Sequence, residues 1–118
     1  MALPTTISGI QIDPLGYYGP FISSGGNVYV IAFDSASKAV VEAWKAIDPT
    51  ASFAEQDSAG KPTLAIASDV IGAAQVGDTL HLVTQQTGSQ GIVRYHAFSM
   101  ASDTWTTVNE LVVVPTST

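Results

Sequence analysis

Hydrophobic and polar residues alternate along this chain with a period near two, in short runs bounded by Gly, Asp, Asn, Ser and Pro. That pattern predicts strands rather than helices, because successive side chains in a strand point to opposite faces. Asn27 to Asp34, Val40 to Ile47, Thr79 to Gln85, Ile92 to Phe98 and Thr104 to Val108 read as strands. Leu111 to Val114 reads as a last edge strand stopped by Pro115, which cannot donate to a ladder. Ala36 to Lys45 contains helix formers, but β-branched Val40 and Val41 favour a strand. No helix of normal length is predicted.

The runs recur. Displacing the chain by 51 residues lays Gly26-Asn27-Val28-Tyr29-Val30-Ile31 on Gly77-Asp78-Thr79-Leu80-His81-Leu82, and Trp44 on Tyr95. After one inserted residue, Phe53 falls on Trp105 and Asp57 on Asn109. The turn-rich stretch Tyr18 to Gly25 falls on Asp69 to Val76. The expectation is one β domain over 1–118 with two units, about 15–60 and about 66–112, each of four short antiparallel strands. In the second unit these are Val70 to Gln75, Thr79 to Gln85, Ile92 to Ser99 and Thr104 to Val108. The flanks 1–12 and 110–118 read as flexible or strand-adding arms. Four strands at this period are the signature of propeller blades.

Phe98-Ser99-Met100-Ala101-Ser102-Asp103-Thr104-Trp105 resembles the end of a kelch or Asp-box blade, with Ile47 to Phe53 as a second copy. Neither copy has the Gly of a full Asp-box, and only Gly25-Gly26 offers a kelch Gly pair. Two blades leave two faces open, so the resemblance implies a ring completed by self-association, three copies giving six blades. Small two-blade lectins that trimerise and bind fucosylated glycans are similar. The alternative fold is a single antiparallel sandwich or jelly roll.

Those lectins use Arg, Glu and Trp at clefts between blades. The resemblance points here to Glu42 and Trp44, two apart and on one face of a strand, with Val93 and Tyr95 at the second unit's equivalent positions. The Arg expected on the preceding strand is absent; His81 or Leu82 stands near it. Arg94 and Tyr95 complete the first set of candidate ligand contacts. Tyr17 and Tyr18, in Tyr17-Tyr18-Gly19-Pro20-Phe21, form a second group with no copy in the other unit. Such aromatics suit a sugar platform or a subunit seam.

Composition removes other classes. The 118 residues are 46% hydrophobic, enough for a core. Four basic against ten acidic residues, net −6, argue against nucleic acid and anionic membrane surfaces. No apolar run is long enough to insert in a membrane as a helix. There is no Cys, so no disulfide or thiolate ligand. His81 and His96 lack metal-ligand spacing and read as strand residues bonding locally; no metal or other cofactor is expected. The Asp residues border turns, where they cap backbone N–H groups, and no nucleophilic triad or P-loop can be assembled. With these classes removed, the resemblance to two-blade lectins implies a non-enzymatic, multivalent, carbohydrate-binding oligomer. The alternative is a structural or decoration protein of a virion or surface appendage, assembling through its terminal arms. Met1 to Thr6 carries no secretory signal pattern, and a virion or extracellular surface fits either reading.

Overall fold

The computed structural model describes residues 15–113 except Pro49, Ser89 and Gln90. It is all-β, with eight strands: β1 (Leu15–Ile22), β2 (Val28–Asp34), β3 (Val41–Ala46), β4 (Ala54–Gln56), β5 (Ser68–Val76), β6 (Thr79–Gln86), β7 (Ile92–Ser99) and β8 (Thr104–Val113). They form two four-stranded antiparallel meanders, β1-β2-β3-β4 and β5-β6-β7-β8. The described residues include no helix.

Three local expectations need correcting. Tyr18 to Ile22 is strand rather than turn. Its Gly and Pro are accommodated by a register break between Tyr18 and Phe21. Thr104–Val108 and Leu111–Val113 are one strand, so residues 110–113 are paired to β7 instead of forming an arm. Its pairing with β7 has two register shifts, and Asn109, at φ 56°, lies at the one between Tyr95 and Ala97. The first arm, 1–12, lies outside the described residues, as do 114–118.

The sheets stack in the same strand order and the same direction. At one end the β1–β2 turn meets the β5–β6 turn: Ser24 N–H donates to Asp78 at 2.7 Å, and Gln75 Nε2 to the Ile22 carbonyl at 2.6 Å. At the other end Ser68 N–H donates to the Lys38 carbonyl at 2.8 Å, beside a Lys38–Asp69 ion pair. Tyr29, Ile31, Phe33, Val41 and Ala43 of the first sheet interlock with Leu80, Leu82, Phe98 and Trp105 of the second. Face-to-face two-fold packing would reverse either the strand order or the strand direction. The arrangement is instead head-to-tail: one sheet's front lies on the other's back.

That relation corrects the repeat offset. Tyr29 points toward the second sheet, whereas Leu80 points back toward the first, so they are not equivalent positions. The registers agree at an offset of 52: Val28 pairs with Ala46 as Leu80 pairs with Phe98, and Val30 with Trp44 as Leu82 with His96. A slip of one residue exchanges the faces of a strand. Under the corrected offset Trp44 matches His96 instead of Tyr95, and Glu42 matches Arg94. Phe53 still matches Trp105, and Asp57 matches Asn109; both of the latter have positive φ.

Candidate functional site

The six sequence candidates occupy four places. Glu42 and Trp44 do share a face, the outer one of the first sheet. Trp44 Nε1 donates to Glu42 Oε1 at 3.0 Å, and Lys61 Nζ donates to Glu42 Oε2 at 2.6 Å and Glu55 at 3.3 Å. Glu42 is 6% exposed and Trp44 8%. Val28, Val30, Ala32 and Phe53 pack with Trp44 in a second core cluster. Burial opposes the Lys61 ammonium, yet hydrogen bonds and charge from Glu42 and Glu55 outweigh it and hold its pKa up. Burial, then the Glu42 charge, raises the Glu55 carboxyl. The group is consistent with a satisfied buried network, its tips already engaged.

Tyr95 lies on the opposite outer face of the molecule, hydrogen-bonded to His81 Nδ1 and stacked on its ring at 5.7 Å. Arg94, its neighbour, points the other way, opposite Thr84. Glu42, Trp44, Arg94 and Tyr95 therefore do not converge.

Both histidines bond locally. Asn109 N–H donates to His96 Nδ1 at 2.9 Å, so that nitrogen is an acceptor and the ring is neutral with its proton on Nε2, toward Thr84 Oγ1 at 2.9 Å. Burial, then the Arg94 charge, pushes the His96 pKa down to about 4. Among the described residues no group of three His, Cys, Asp or Glu is placed to hold a metal.

Tyr17 and Tyr18 border an open cleft of about 480 Å³ between β1 and β5, the first strands of the two sheets. Tyr18 and Phe21 pack partly on the central core, as does Val70 from the other wall. Tyr17 is 40% exposed and Ile71 53%. Partial burial raises the Tyr17 phenol pKa. Each wall is interrupted by a register break, between Tyr18 and Phe21 and between Val70 and Gly72. Such breaks release backbone N–H and C=O groups from the ladder. Gly19, at φ +129°, lets the chain turn there; a Cβ would meet the Tyr29 carbonyl at 3.1 Å and the Phe21 ring at 3.2 Å.

No family model matches the chain, and searches of curated proteins and of solved structures gave no match either. The cleft is therefore read from its own chemistry: aromatic and aliphatic walls, each interrupted by a register break. Tyr17 and Tyr18 stand out in the sequence, whereas Val70, Ile71 and the β5 break do not. Gly72, following two β-branched residues in a strand run, was the available signal.

Proposed function

We propose that this chain is a non-enzymatic carbohydrate-binding module whose site is the β1–β5 cleft. The observation that carries the reading is the pair of facing strand breaks flanked by Tyr17, Tyr18 and Phe21. Sugars present C–H faces that stack on aromatic rings and hydroxyls that need donors and acceptors. A glycan array with the full chain tests it. Bound glycans should lose roughly tenfold or more in affinity in Tyr17→Ala and in the blocking variant Ile71→Arg, as loss of a good stacking contact implies. Absence of any bound glycan, or unchanged binding in both variants, overturns the reading.

A second reading, a propeller-like ring completed by three copies, draws support from the head-to-tail stacking, which is the contact type that closes rings. It would set the half-exposed face bearing His81 and Tyr95 against the first sheet's outer face, which is already buried in the single chain. Light scattering after size exclusion decides it: a three-chain mass supports the ring, and a one-chain mass removes it without touching the cleft.

A further inference from the structure

Four cations belong to this chain, and three of them are matched. Lys38 pairs with Asp69, Lys45 with Asp103, and Lys61 with Glu42 and Glu55. Arg94 stands apart: among the described residues its guanidinium has no carboxylate partner and meets only Gln86 Oε1, at 3.4 Å. In an acidic chain, a half-buried guanidinium facing a neutral amide keeps most of its donors for something else.

The place it occupies is a cleft of about 180 Å³, between the strand segment bearing Arg94 and the connection 63–66. Asn109 borders the cleft, and its side-chain amide donates to the Thr63 carbonyl at 3.3 Å. Leu64 is buried beneath, and Ile66 stands at the mouth, 53% exposed. We propose that this cleft is a carboxylate-binding site, in which a small acid, such as an acidic monosaccharide, sets its carboxylate in the Arg94 fork and its apolar side against Ile66. A planar carboxylate matches the planar fork through two parallel hydrogen bonds. A phosphate dianion fits less well, because no second cation among the described residues lines the cleft. This site is separate from the β1–β5 cleft and stands or falls without it.

The experiment is an amide-resolved NMR titration of the full chain with sodium glucuronate, sodium acetate and neutral glucose at constant ionic strength. Both carboxylates should shift the resonances of Arg94, Asn109 and Ile66, and glucose should leave them unmoved. Glucuronate tighter than acetate identifies an acidic sugar as the ligand; equal affinity identifies the carboxylate alone as what is recognised, and either supports the site. Arg94→Gln should weaken the response tenfold or more. Ile66→Asp, at an exposed position, supplies a carboxylate in cis and should weaken binding similarly with the melting temperature retained. No response to either acid, or the same response in both variants, overturns the proposal. Tyr17→Ala should leave this titration unchanged.

Discussion

Tyr29 on β2 reaches across to the β7–β8 turn, its hydroxyl 3.1 Å from the Met100 carbonyl and hydrogen-bonded to Asp103, whose other oxygen takes the Lys45 ammonium at 2.8 Å. One residue of the first sheet thus fastens the head of the second. Burial, then the Asp103 carboxylate, drives the Tyr29 pKa far up, so it stays a donor at any ordinary pH. Tyr29→Phe keeps the ring against Phe98 and removes the clamp. A loss of about 1–3 kcal/mol is expected, at the strength of a hydrogen bond to a charged group. Urea unfolding measures it, and a double-mutant cycle with Asp103→Asn should show coupling.

The Glu42–Trp44–Lys61 network predicts an asymmetry. Lys61→Met strands the Glu42 carboxylate, 6% exposed, without its cation. With the Lys61 side chain 24% exposed, the cost falls below that of a fully buried pair, at about 1–3 kcal/mol. The double variant Lys61→Met/Glu42→Gln should recover a large part of that loss in the same unfolding assay.

His96 makes the fold acid-sensitive in a defined window. Its folded pKa of about 4 lies below the unfolded value near 6.5. The neutral ring is therefore the stabilised form. Its contribution is complete above about pH 6.5 and is lost as pH falls toward 4, by roughly 3 kcal/mol in all. Protonation at Nδ1 would break the bond from Asn109 N–H. Stability measured from pH 7 to 4 should fall across this range, with a slope that flattens in His96→Gln.

Trp105 packs edge-on to Phe98 at 5.2 Å, but its indole N–H is buried and, among the described residues, has no hydrogen-bond partner. Trp105→Phe removes the stranded donor and keeps an aromatic ring. It should cost less than about 1 kcal/mol or stabilise, whereas Trp105→Ala should cost about 3–5 kcal/mol. Thermal unfolding of the two variants checks the contrast.

The sequence made the strands readable wherever alternation ran unbroken, as in Val28–Asp34 and Thr79–Gln86, and the Glu42–Trp44 face followed from spacing alone. The repeat offset went astray because aligning Gly26 with Gly77 assumes equal turns. The first turn spans Ser23 to Asn27, and the second only Gly77-Asp78. β1 was hard to see because Gly19 and Pro20 sit at its break. The separation of Arg94 from Tyr95 follows from strand alternation. The lack of a carboxylate partner for Arg94 among the described residues and the meeting of β1 with β5 depend on how the two sheets stack, which no local pattern encodes.

The most direct test of the central claim is a crystal structure of the full chain with the strongest glycan from an array. A sugar ring is expected in the β1–β5 cleft, against the aromatic wall of Tyr18 and Phe21 with Tyr17 at its border, and with hydroxyls bonded to backbone groups at the two strand breaks. A glycan seated instead on the Glu42–Trp44 face or beside His81 and Tyr95, with the cleft empty, would contradict it.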